Sequence, residues 1–178
     1  MDPGPCPACG FDPRTVSPAD AAVAARSYPR RFRALLVRPE GDEDEEPTPE
    51  DLVRRRPPEG GWSALEHTAW VAAVLSRAAD ALEAIRVRER PQVEISAGEE
   101  AVASATELAP VLERLGTAAE GLAQTISRVD ARDWTRRGRL ADGREVTALE
   151  VMHHAVHEGF HHLRETEQVL ARLRGRPG

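Results

Sequence analysis

Three short strings fix where helices begin in this chain: Ser63-Ala64-Leu65-Glu66, Ser96-Ala97-Gly98-Glu99 and Thr147-Ala148-Leu149-Glu150. Each sets a hydroxyl residue three positions ahead of a glutamate. The hydroxyl then accepts from the third backbone N–H while the carboxylate reaches back to the first, satisfying donors that a helix start otherwise leaves unpaired. They open helices expected over about 64–87, 99–129 and 148–174, the last terminated by Gly175. Gly98 and Pro110 weaken the early part of the middle one, so its robust portion is expected from about Thr106. A further start, Ser17-Pro18-Ala19-Asp20, places a cap before a proline at the first helical position. It opens a helix over about 18–37 that Pro29 is expected to kink or divide.

The connections read as clearly. Residues 1–16 are rich in proline and glycine and form an irregular lead-in. Gly41 to Glu50 is an acidic, proline-punctuated loop, read as a solvated surface segment, with recruitment of a basic partner as the rival reading. Asp130 to Val146 contains Trp134 and the turn-like Ala141-Asp142-Gly143, which suggests a short extended excursion. Aromatic residues make up only 4% of the chain, which suits packed helices better than strands. The expectation is an all-α protein: a lead-in over 1–16, then one domain over 17–178 folded as a four-helix bundle with a long loop after its first helix. A homodimer is a reasonable expectation for such a bundle.

A formal net charge of -6 argues against a broad nucleic-acid surface. No stretch approaches the roughly 18 apolar residues of a membrane span, and the first residues carry neither a basic leader nor an apolar run. A cytoplasmic protein acting on a small molecule is the economical reading. All 24 basic residues are arginine, which reads as a GC-rich coding style.

Six histidines occur, and five of them, His153, His154, His157, His161 and His162, fall within ten residues of the last helix. Residues four apart on a helix stack on one face roughly 6 Å apart, so His157/His161 and His153/His157 are both able to converge on one ion. His154 and His161 are two turns apart, about 10 Å, too far for one metal. His162 projects about 100° away from His161 and is the poorest candidate. The apolar side of this helix is marked by Met152, Val156, Phe160, Leu163 and Leu170, with the histidine stripe beside it. His67, early in the second main helix, is the one histidine elsewhere. Imidazoles suit Zn, Ni, Fe or Cu, and three of them leave a position open for water or substrate. Pattern alone fits either a metal centre or the polar flank of an amphipathic helix.

At this point the chain resembles the DinB/YfiT-like metalloenzyme family. The matching strings are Gly61-Trp62-Ser63-Ala64-Leu65-Glu66-His67-Thr68-Ala69-Trp70, similar to the family's W-S-x-x-E-H, and His157-Glu158-Gly159-Phe160-His161, similar to its H-x-x-x-H on the last helix. The resemblance spans roughly residues 18–174. It implies one divalent ion on His67, His157 and His161, with His153 a neighbour. The glycine-glutamine that usually follows the last histidine is replaced by Leu163-Arg164-Glu165. Family members with an assigned activity include thiol-dependent transferases and isomerases using mycothiol or bacillithiol. The resemblance therefore implies an ion that activates a low-molecular-weight thiol, or water, for attack on an electrophilic small molecule; the alternative is a non-catalytic metal-binding or stress-response module. An all-arginine style fits a mycothiol-using organism. Glu66, Glu150 and Glu158 are the carboxylates placed to support the ligands from behind, with helix capping the plainer role for the first two. Trp62, Trp70 and Trp134 either line a pocket or pack in the core.

Cys6-Pro7-Ala8-Cys9-Gly10 has the shape of a zinc-ribbon knuckle, half of a tetrahedral site. No third cysteine exists to complete it. Three readings stand: a second metal site completed by histidines or another subunit, a C-x-x-C redox pair, or a turn without chemistry.

Overall fold

The computed structural model describes residues 4–37 and 49–175. Six helices, α1 (Pro18–Leu36), α2 (Glu50–Arg54), α3 (Ala64–Val87), α4 (Glu99–Ala103), α5 (Leu108–Arg128) and α6 (Ala148–Leu173), are joined by 3-10 turns at Pro13–Thr15 and Ala131–Thr135 and by a hairpin of β1 (Arg137–Arg139) and β2 (Glu145–Thr147). The long helices α1, α3, α5 and α6 form the four-helix bundle. Gly41 to Thr48 of the acidic loop lies outside the described residues, while its Glu50 opens α2.

Three of the four helix starts behave as their sequences require. Ser17–Asp20, Ser63–Glu66 and Thr147–Glu150 each form both hydrogen bonds of a capping box. The fourth does not. Gly98 takes the cap position of α4 with no side-chain bond, α4 stops at Ala103, and the main helix restarts at Leu108. Pro110 explains the restart: as the third residue of α5 its missing N–H is one of those a helix start leaves unpaired anyway. Pro29, expected to kink or divide its helix, does not divide it. It sits inside an undivided α1, which keeps its buried stripe of Ala21, Ala25, Tyr28, Phe32 and Leu36 against the bundle.

α1 and α3 each pack against both α5 and α6, while α1 barely touches α3. Around the bundle the order is therefore α1, α5, α3, α6, and the chain crosses a diagonal twice, from α1 to α3 and from α5 to α6. Such crossings need long connections, and the chain supplies residues 37–63 for one and 129–147 for the other. α3 is buried nearly all round, and its alanines at 64, 69, 72, 78 and 81 let neighbouring helices approach closely. Fully buried Phe32, Leu65, Leu75, Leu82, Leu115, Leu122 and Leu163 fill the centre, each contributing roughly 1.5–3 kcal/mol by removal from water.

The extended excursion is real but small. β1 pairs antiparallel with β2, with Gly138 opposite Val146, and Gly143 turns the chain at φ +85°. Arg136 ties the hairpin to the end of α3 by donating to the carbonyls of Ile85 and Arg88 at 2.8 and 2.7 Å. No helix among the described residues is long and apolar enough to cross a membrane.

Candidate metal centre

α6 stands between two neighbours, α3 on one side and α1 with the lead-in on the other, and its histidines divide between them. On the α3 side, His67 is buried and its Nδ1 lies 2.8 Å from Nδ1 of His162, so one ring donates to the other. Trp62 closes over the pair, 5.5 Å from His67 and 5.8 Å from His162 between ring centroids. Trp70 Nε1 donates to Glu158 at 2.8 Å, and His162 Nε2 lies 3.4 Å from the same carboxylate oxygen. Burial pushes Glu158 up, but the hydrogen bonds from His162 and Trp70 outweigh it and bring the carboxyl down to about 2. Burial, reinforced by His162, takes His67 down to about 3, so its ring is neutral at working pH.

On the lead-in side lie His153, His154, His157 and His161. His153 donates from Nε2 to the Val16 carbonyl at 3.0 Å, a bond that seats the lead-in on α6. Phe11 packs on His157 and Phe160, with centroid separations of 5.3 and 6.3 Å. Phe160 is thus only partly buried and serves the lead-in, whereas Met152, Val156, Leu163 and Leu170 face the core as expected. The Cys6–Cys9 turn is closed by two backbone bonds, Cys6 N to Phe11 O at 2.8 Å and Gly10 N to Cys6 O at 2.7 Å. Gly10 supplies the φ of +77° that the turn requires.

Cys6, Cys9, His157 and His161 each offer one ligand atom, and these atoms all lie within 4.8 Å of one another. Among the described residues it is the one group of three or more such side chains that meets that spacing. The fit to a metal rests on a further observation. His157 Nε2 and His161 Nδ1 are buried with no hydrogen-bond partner, as is His154 Nε2. A buried polar atom left unsatisfied costs roughly 1–3 kcal/mol, and a coordinate bond removes that cost. Burial also lowers the basicity of His157, which favours the lone pair an ion needs.

The structure therefore brings His157 and His161 together and puts them beside Cys6 and Cys9, 148 or more residues away in sequence. His67 is not in that group; it points to α6 but meets His162, the histidine that spacing ranked last. Glu66 completes its capping box and pairs with Arg56, and Glu150 completes the box of α6. Glu158 is the carboxylate nearest the group, with Oε1 3.9 Å from His157 Nδ1. The sequence held a signal for the four-residue group, half a zinc knuckle at one end and a histidine pair at the other, but nothing in it showed that the lead-in folds back onto α6.

A cavity of about 1040 Å³ opens beside the group, with Cys6, Phe11, Val16, Leu149, His154 and His157 in its wall. None of Trp62, Trp70 and Trp134 lines it. Two ligand candidates therefore face a space large enough for a small molecule.

The family model described as the DinB superfamily matches residues 31–166. The chain belongs to the DinB superfamily. Its fold is also that of a solved structure of YfiT from Bacillus subtilis, described as a probable metal-dependent hydrolase with an unusual four-helix bundle topology. The two share 14% identity at a TM-score of 0.72, over 94% of this chain and 95% of YfiT. No curated protein matches the chain. The DinB match begins within α1, so it takes in α3 and the α6 histidines but not the Cys6–Cys9 turn.

Proposed function

We propose that this DinB-superfamily protein is a metal-dependent enzyme in which α6 presents His157 and His161 to one divalent ion, beside a cavity that admits an electrophilic small molecule. The observation that carries the reading is the pair of buried, unpartnered ring nitrogens, His157 Nε2 and His161 Nδ1. When bound, such an ion supplies Lewis acidity that brings a coordinated water, or a low-molecular-weight thiol of the mycothiol kind, toward ionisation near neutral pH.

The chain's own residues supply orientation and enclosure. Glu158, held by Trp70 and His162, stands behind the His157 ring, where a carboxylate steadies a ligand imidazole. Phe11, Val16 and Leu149 give the cavity an apolar wall that receives the substrate's body and sheds water. His154 lines the same cavity next to His157 and adds a polar ring to its wall. His67, the third ligand implied by the family resemblance, is neutral and faces α6, with its Nδ1 engaged by His162.

A second reading, a metal-binding module without catalysis, is favoured by one observation: two cysteine sulfurs share the group with the two histidines, enough donors to fill a tetrahedral sphere. One experiment separates the two readings. Chelator-treated and metal-reloaded protein are assayed against activated esters and alkyl electrophiles, with and without added thiol. Saturable turnover in the reloaded protein alone, lost in His157→Ala with helical circular dichroism intact, is the expected result. Turnover unaffected by chelation, or none with any ion, overturns the enzyme reading.

A further inference from the structure

We infer that the ion carried by α6 is held in a four-coordinate Cys2His2 centre, with Cys6 and Cys9 of the N-terminal turn supplying its other two donors. The inference rests on the reading that α6 binds an ion and goes beyond it by assigning the remaining ligands to a segment outside the matched family region.

Four lines of geometry converge. The two sulfurs and one nitrogen from each of His157 and His161 lie within 4.8 Å of one another. Metal–ligand bonds of about 2.0–2.3 Å place tetrahedral donors about 3.3–3.8 Å apart, so small side-chain rotations bring the group to its sphere. Each of the two rings carries a buried nitrogen without a hydrogen-bond partner, Nε2 of His157 and Nδ1 of His161. The turn itself is closed as a knuckle: Cys6 N donates to the Phe11 carbonyl and Gly10 N to the Cys6 carbonyl, and Gly10 allows the chain to close back at φ +77°. Cys9 is 5% exposed, although it sits in a segment with little apolar content of its own to hold it down.

Mixed thiolate and imidazole donors in a tetrahedral set select zinc over the harder divalent ions. Such a centre is a cross-link. It fastens a proline-rich lead-in, otherwise seated by Phe11 and the His153–Val16 bond, onto the middle of the last helix. Two of its four ligands, Cys6 and His157, also line the cavity, so the centre would stand at the cavity wall.

The test is titration of the reduced, chelator-treated full-length protein with Co2+, followed by absorption. A thiolate-to-cobalt charge-transfer band with tetrahedral d–d bands is expected, at one ion per chain. Both are expected to vanish in the double variant Cys6→Ser/Cys9→Ser and to persist in His67→Gln, with circular dichroism confirming that each variant is folded. Co2+ binding without a charge-transfer band, retained in the double serine variant and lost in His67→Gln, overturns the inference while leaving an ion on α6. A Cys6–Cys9 disulfide that re-forms in place of metal uptake also overturns it. Failure of the wild type to bind any ion removes the parent reading as well.

Discussion

Gly159 lies between His157 and His161 where the Tyr28 ring of α1 packs against α6, and replacing it with alanine measures that approach. A Cβ at this position stands closer than 3.0 Å to three atoms of the Tyr28 ring. That ring is buried, and its hydroxyl donates to the Val156 carbonyl at 2.7 Å. On helix propensity alone Gly→Ala stabilises by about 1 kcal/mol. Against this, overpacking costs about 1–3 kcal/mol, and a displaced Tyr28 leaves a buried donor unsatisfied for about 1–3 kcal/mol more. The loss wins, with a net destabilisation of about 3 kcal/mol, and a domain of this size turns that into a fall in Tm of about 6–12 °C. Gly116, in α5, provides the control, since a Cβ there meets nothing within 4 Å. Gly116→Ala should therefore raise Tm by about 2–4 °C. Thermal unfolding followed by circular dichroism reads both variants. A Gly159→Ala protein as stable as wild type, alongside a stabilised Gly116→Ala, would refute the packing of α1 on α6 described above.

Three other outcomes follow from the same geometry. Trp70→Phe keeps an aromatic ring but removes the donor to Glu158 together with part of the indole's packing, and urea unfolding should show a loss of about 1.5–3 kcal/mol; a change below about 0.5 kcal/mol contradicts the network. Glu150 has its carboxyl held below the ordinary 4.5 by the Thr147 backbone N–H, so the native state binds fewer protons there than the unfolded chain. Its stabilisation is full above that value and fades as pH falls through the folded one, so Glu150→Gln should flatten this part of the acid limb of a stability–pH curve; an unchanged limb counts against the cap. Free Zn2+ at a hundred times its Kd should stabilise the fold by about 2.7 kcal/mol, raising Tm by about 5–11 °C, with reversal by chelator. Absence of any shift indicates that the ion does not distinguish folded from unfolded chain.

What could be read from the sequence, and what could not, follows the range of the forces involved. Capping boxes act over four residues, so Ser17, Ser63 and Thr147 marked their helices correctly. Ser96 failed because the glycine before Glu99 took the cap position itself and the helix it opened was too short to continue. Pro29 does not divide α1, because the buried stripe of that helix holds it together across the missing hydrogen bond. Helical spacing left His157/His161 and His153/His157 as converging pairs, because that geometry is local, and the family resemblance favoured the first. The partners of the pair are set by how the lead-in folds back and how α3 is rotated against α6, which no spacing within one helix reports. His162 is the clearest instance. Its angle on α6 ranked it last, but that same angle turns it toward α3, where His67 meets it.

The central claim is that His157 and His161 carry one ion. Inductively coupled plasma mass spectrometry on protein loaded with zinc and then desalted measures it directly. The expected result is close to one equivalent per chain in the wild type and close to none in a folded His157→Ala/His161→Ala variant. Equal metal content in the two proteins, or none in the wild type, contradicts the account.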